Sequence, residues 1–249
     1  MNLLYTTIPI KLCEYAVLNR KINQLALYIH LKHNSDGEVS FDKSNYKHYA
    51  VDIGRSEKWV RKTMDWFIEE EWITVNSKRN VLRIISYKNL CVKLNISNCR
   101  SAIYENEDFR DFKGFCCAVV IANQISKKRF IEKKGWSVSI MGDASTNHSN
   151  FYKGFYTMPI FYLALRLKIS PSRANNIKQM ALKWGYLDLK KQIRILQDDN
   201  GNKVSKNLYK TYKMAFPELA GRFRKGKKYL RIMEADIMKV EVVVKMKRL

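Results

Sequence analysis

A chain of 249 residues with 46% apolar content can bury a core, as one large domain or two of ordinary size, which sets aside intrinsic disorder. Its 46 Lys and Arg against 23 Asp and Glu give a net charge of +23 and a pI near 9.8, an excess beyond what solubility requires. That balance points to a polyanion; because the cations are interleaved with aromatics across folded segments, nucleic acid is favoured over a membrane surface, with a plainly solvated basic surface as the alternative.

The five cysteines are odd in number and two of them, Cys116 and Cys117, are adjacent in an apolar run, so no disulfide framework is expected and the chain reads as reduced and cytoplasmic. The start of the sequence carries no basic segment followed by an apolar core. The longest strongly apolar run, Phe115 to Ala122, is too short for a bilayer, so no membrane partner is expected.

Taken in chain order, Ile22, Leu25, Ala26 and Ile29 recur at helical spacing within Leu18 to Lys32, and Asn34 to Gly37 stop that helix. A short strand around Val39 and Phe41 and a helix from about Lys43 to Ala50 precede a turn at Ile53 to Arg55. Ser56 then suits the cap of an amphipathic helix with Val60, Met64 and Phe67 inside, widened by Trp59, Thr63 and Trp66. Trp72 to Val75 and Val81 to Ile85 are β-prone runs joined by a polar loop whose tip holds Lys78 and Arg79. This order spells a winged helix-turn-helix over roughly residues 1–100. Val92, Leu94 and Ile96 alternate with polar residues and predict one more strand, and Asn98 to Asp108 reads as a linker.

A second copy of the pattern is expected over 101–220. A helix from Phe109 to about Lys133 leads into a Gly-, Ser- and Asn-rich passage, Gly135 to Gly154, read as a mobile loop. A short helix, a turn at Ile169 and Ser170, and a helix opened by Pro171 and closed by Gly185 follow, with Ser170 as cap. Ile177, Met180, Ala181 and Trp184 form its apolar stripe. Ile193 to Leu196 and Leu208 to Tyr212 are expected to pair around Asn200 and Gly201 as a second, longer wing. The tail 221–249 has ten Lys or Arg against three acids and shows no strand that can be placed; it reads either as a DNA-tracking arm or as a solubilising extension. The fold class is therefore α+β, mostly helical: two winged helix-turn-helix domains in tandem with a basic tail.

The candidate DNA contacts follow from the outward faces. In the first domain they are Arg55, Ser56, Lys58, Arg61 and Lys62 at the helix start, with Lys78 and Arg79 on the wing. An ordinary solvated face competes with this reading, since Arg61 can pair with Asp65 and Glu69 to Glu71 make the far half of the helix anionic. In the second domain Ser172, Arg173, Asn176, Gln179 and Lys183 line the outer side. Asn176 and Gln179 suit adenine and Arg173 suits guanine, although Asp198 and Asp199 on the second wing would repel phosphates. The plentiful aromatics read first as core, with base stacking as the alternative.

Catalytic and metal motifs fail in turn. Gly221 to Lys228 matches GxxxxGK but has Lys228 where Ser or Thr would bind magnesium, and it follows no clear strand. His30 and His33 share a helix face without a carboxylate or cysteine beside them in sequence, and Cys91 and Cys99 are too far apart for half a zinc knuckle. No catalytic residue, metal or cofactor is expected.

NRKINQLALYIHL followed by VDIGRSEKWVRKTMDWFIEEEWITV resembles the first winged-helix domain of plasmid and phage replication initiators, and the two-domain layout over roughly residues 15–215 is similar too. The resemblance implies a non-catalytic protein that binds repeated double-stranded DNA sites at the origin of a mobile element, dimerises in some members, and recruits host replication proteins. A winged-helix transcriptional regulator is the alternative, and a non-specific RNA- or DNA-binding protein or nuclease a further one.

Overall fold

The computed structural model describes residues 6–96, 100–105, 109–138, 154–219 and 221–246. β1 (Thr6–Pro9) runs into α1 (Ile10–Leu18), and a left-handed residue at Arg20 turns the chain into α2 (Ile22–His33). β2 (Glu38–Ser40), α3 (Asn45–Asp52), α4 (Glu57–Glu69), β3 (Ile73–Asn76) and β4 (Val81–Ile84) follow. The three strands form an antiparallel sheet in the order β2-β4-β3, so the hairpin's returning strand lies in the middle. Beneath it α4 buries Val60, Thr63, Met64 and Phe67. Trp72 lies flat against Phe67 at 5.5 Å and meets Tyr28 edge-on at 5.5 Å. The Tyr28 hydroxyl donates to the Ile85 carbonyl at 2.8 Å, which keeps its polar end satisfied inside the core.

The strand expected at Val92 to Ile96 is instead the end of α5 (Tyr87–Lys93) and the turn that follows it. Ser86 caps this helix by accepting from the Asn89 N–H at 3.2 Å, and Leu90 and Cys91, neighbours in sequence, are both buried. A strand would send those two to opposite faces; a helix edge keeps both inside. The expected linker is partly strand as well, because β5 (Arg100–Tyr104) pairs with β1 in register Thr6 with Tyr104.

A short 3-10 turn, Phe109–Asp111, opens α6 (Phe112–Val138), so the helix runs past the expected start of the loop at Gly135. The remainder of that loop, from 139 to 153, lies outside the described residues. From Phe115 to Ile121 every side chain of α6 is buried, as an interior helix apolar all round must be. β6 (Tyr156–Thr157), α7 (Ile160–Leu167), α8 (Pro171–Lys183) and β7 (Leu187–Lys190) come next. Ser170 caps α8 by accepting from the Arg173 N–H at 3.3 Å, and Gly185 just past its end takes φ +74°, the left-handed conformation that glycine enters without a Cβ clash.

The chain then makes β8 (Ile193–Ile195), α9 (Tyr209–Ala215), β9 (Phe223–Lys225), β10 (Leu230–Met233), β11 (Ile237–Val240) and β12 (Val244–Met246). This overturns the second wing expected from Ile193 to Leu196 and Leu208 to Tyr212. Leu208 to Tyr212 is no strand, since Tyr209 begins α9. The strand that pairs with β7 is β11, giving the sheet order β6-β11-β7, the same outer–return–outer order as the first sheet. Residues 191–236, inserted between β7 and β11, build a separate sheet, β8-β10-β9, over a small cluster of Val204, Phe223, Leu230 and Ile232.

The tail is likewise no loose arm in its described part. β11 is the central strand of the second sheet, and β12 adds to β5, so that β1-β5-β12 joins the beginning, the expected linker and the end of the chain. One continuous core runs from Ile8 to Met238 and includes residues of all three expected segments. Asp111 ties the same regions with polar bonds, accepting from Tyr104 on β5 and from Tyr186 before β7, each at 2.5 Å. The architecture is α+β, with four small three-stranded sheets among the described residues and α6 packed against α1, α2 and α8.

α6 and α8 approach closely at Gly114, where an added Cβ would sit 2.4 Å from the Cβ of Trp184. That neighbour is the root of a side chain and cannot swing away. Gly114→Ala is expected to lower the unfolding free energy by about 1–3 kcal/mol, as overpacking does, measured by urea denaturation.

His30 is enclosed between Tyr49 and Phe109, with Nε2 3.3 Å from the Asp52 carboxylate. Burial lowers its pKa, Asp52 opposes that, and His33 adds to the lowering; burial prevails. The unfolded chain therefore binds a proton that the folded one resists. The stability from neutral His30 is present above roughly pH 6.5 and falls as the pH drops toward the depressed folded value. Unfolding free energy is expected to fall between pH 7 and pH 5, with a smaller decrease in His30→Gln.

Candidate nucleic-acid interface

α4 is positioned by its cap and by its buried face. The Ser56 hydroxyl accepts from the Trp59 N–H at 3.2 Å, so this candidate contact already serves the helix start. With Val60, Met64 and Phe67 inside, Lys58, Arg61 and Lys62 are held exposed on the opposite side. Arg61 donates to Glu57 at 2.9 Å, one turn earlier, and not to Asp65 as the spacing allowed. Arg55, in the turn before α4, donates to the Asn23 side chain at 2.7 Å, which fixes its guanidinium against the start of α2.

The β3–β4 hairpin carries Lys78 and Arg79 exposed at its tip, where the Asn76 carboxamide oxygen accepts from the Arg79 N–H at 3.3 Å. The hairpin and the start of α4 thus present Arg55, Lys58, Arg61, Lys62, Lys78 and Arg79 from a single small unit. Past the anionic end of α4, Lys93 donates to the Glu71 carboxylate at 2.5 Å, and that hydrogen bond holds its carboxyl below the usual carboxylate range.

The second set of candidates is arranged differently. Ser172, Asn176, Gln179 and Lys183 are exposed along α8, but Arg173 is half-buried and its Nη2 donates to the carbonyls of Val17 at 3.0 Å and Leu18 at 2.6 Å. Arg173 thus ties α8 to the end of α1 through Nη2, a contact its expected role at a guanine edge did not include. The rest of that face does not stand clear either. Asn176, Gln179 and Lys183 line a groove of about 540 Å³ whose other wall is the α1–α2 turn, with Val17, Arg20 and Asn23. Asp198 and Asp199, expected at the tip of the second wing, lie in a tight turn of the inserted sheet, where Asp198 accepts from the N–H groups of Asn200 and Asn202.

Sequence patterning missed the buried partner of α8. Lys178, expected on neither face, is buried and donates to Asp236 at 2.6 Å, immediately before β11. Its position between Ile177 and Gln179 carried no signal, because the carboxylate is 58 residues away. Arg20 and Lys113, which line the groove with no acid among its lining residues, were also missed, since Arg20 lies in the α1–α2 turn and Lys113 on α6. Among the described residues no group of three or more His, Cys, Asp or Glu side chains could hold a metal ion, and no helix is long and apolar enough to cross a membrane.

No protein-family model, curated protein or solved structure matches this chain.

Proposed function

We propose that the protein is a non-catalytic, sequence-specific binder of double-stranded DNA whose first unit, α2 to β4, works as a winged helix-turn-helix. α4 enters the major groove through Lys58, Arg61 and Lys62, while Lys78 and Arg79 on the hairpin hold the adjacent backbone. The observation that carries this reading is the exposed cations at the start of α4 together with those at the hairpin tip, on a chain of net charge +23. The repeat of the strand order, β2-β4-β3 and then β6-β11-β7, supports a tandem arrangement. On the resemblance to plasmid and phage initiators, the output is replication of a mobile element from repeated origin sites, with dimerisation and host replication proteins as partners. A transcriptional regulator is the alternative.

Selection of bound duplexes from a random pool at about 150 mM salt tests it, since that concentration strips weak non-specific contacts. Enrichment of a common motif is the expected result. The motif's genomic position, repeated within an origin or single within promoters, then separates initiator from regulator, and binding with no enriched motif would remove sequence-specific recognition.

A further inference from the structure

The groove between α8 and the α1–α2 turn has the size and lining of a ligand site. Its volume of about 540 Å³ falls within the range that small-molecule pockets occupy. Val17, Ile22, Ile177 and Met180 supply an apolar floor. Arg20, Lys113 and Lys183 project cationic groups from three different helices or turns, and no carboxylate lines the space. A second recess of about 210 Å³ adjoins it, shares Lys113 and Lys183, and adds Arg55 and Arg110. Cations gathered around a concave space with no acid among them raise the local potential and attract anions.

The polar remainder is selective. The amides of Asn176 and Gln179 have no hydrogen-bond partner among the described residues, and each offers both a donor and an acceptor, as the edge of a nucleobase requires. An apolar floor for a planar ring, amides for its edge and cations for an attached anion are complementary to one ligand chemistry. We propose that this groove binds a nucleotide, with its phosphate ester on Lys113 and Arg20 and its base beside Asn176 and Gln179. A duplex does not suit this face. A major groove receives a helix that stands clear of its neighbours, whereas α8 is tied to α1 through Arg173 and walled by the α1–α2 turn. The ligand is a free nucleotide or one nucleotide of an unpaired strand, the two sources of the same chemistry. The inference stands apart from duplex binding by α4.

The test is isothermal titration of the full chain at about 150 mM salt with ATP, AMP, a 5′-phosphorylated hexathymidylate and inorganic phosphate, repeated on a double variant, Arg20→Gln with Lys113→Gln. At least one nucleotide ligand is expected to bind better than inorganic phosphate, and its affinity to fall about 100-fold in the double variant, roughly tenfold for each charged contact removed. Binding of ATP or AMP identifies a free nucleotide; binding of the hexathymidylate alone identifies a strand. Neither substituted residue belongs to α4 or the hairpin, so duplex binding and the melting temperature are expected to persist. Lys183→Gln, at an exposed position, gives the same readout should the double variant melt early. Absence of binding by every nucleotide ligand at millimolar concentration, equal affinity for inorganic phosphate, or undiminished affinity in folded variants would each overturn the proposal.

Discussion

Asp236→Ala is expected to lower the unfolding free energy by about 3–5 kcal/mol, because it strands the ammonium of Lys178 in a buried site. The Lys178 side chain is 7% exposed, that of Asp236 is 15% exposed, and their 2.6 Å contact sits where the inserted segment 191–236 returns to the main fold. The pair therefore locks β11, the central strand of the second sheet, onto α8. Urea denaturation of the variant measures the loss through the midpoint. A double replacement by apolar residues of similar size, Lys178→Met with Asp236→Leu, is expected to recover most of it, since removing both charges also removes their desolvation cost. A single variant as stable as the parent would show that β11 is held by its strand pairing alone.

Replacing Lys58, Arg61 and Lys62 together by alanine is expected to weaken binding to every duplex, specific or random, and to flatten its salt dependence. Each phosphate contact contributes about 0.9 to the slope of log affinity against log salt, so three lost contacts reduce it by about 2.7, or roughly two orders of magnitude in affinity at 150 mM. Fold stability should change little, because all three side chains are exposed and the Arg61–Glu57 pair is a surface ion pair. An unchanged slope in a folded triple variant would take α4 out of the interface and leave the proposed function without its carrying observation. Loss of discrimination between sites, beyond the uniform loss, would show that one of the three also reads a base edge.

The two variants probe regions that differed in how openly the sequence displayed them. Around α4 the signals are local: a Ser cap, apolar residues three and four apart, and a polar tip between two β-prone runs. All of these lie within Ile53 to Ile85, and helix, hairpin and cationic face fall where they predict. α8 was equally legible as a helix, from Ser170 to Gly185. What its outer residues face was not, because Arg173 finds its partners 155 and 156 residues away, on α1. A helical wheel separates inside from outside but cannot say that the outside of one helix is the wall of a groove.

The second half was misjudged for a related reason. Ile193 to Leu196 is expected to pair with Leu208 to Tyr212, yet β8 pairs with β10, and β7 takes its partner from β11. The tail did hold a missed local signal, since Leu230 and Ile232 are buried on either side of exposed Arg231, the period-two alternation of a half-buried strand. Its high charge hid this: cations on the solvent face are compatible with a short strand as well as with an arm.

By itself, the amino-acid sequence determined the net charge, the caps and apolar faces of the main helices, and the first hairpin with its cationic tip. These depend on neighbours within a turn or two of chain, where spacing alone decides which side chains share a face. Only the tertiary structure decided that the chain's beginning and end share the sheet β1-β5-β12, that residues 191–236 interrupt the second sheet, that Lys178 is buried against Asp236, and that Arg20, Lys113 and Lys183 converge on one groove. Each of those rests on pairing or packing across long stretches of chain, and residue spacing carries no record of it.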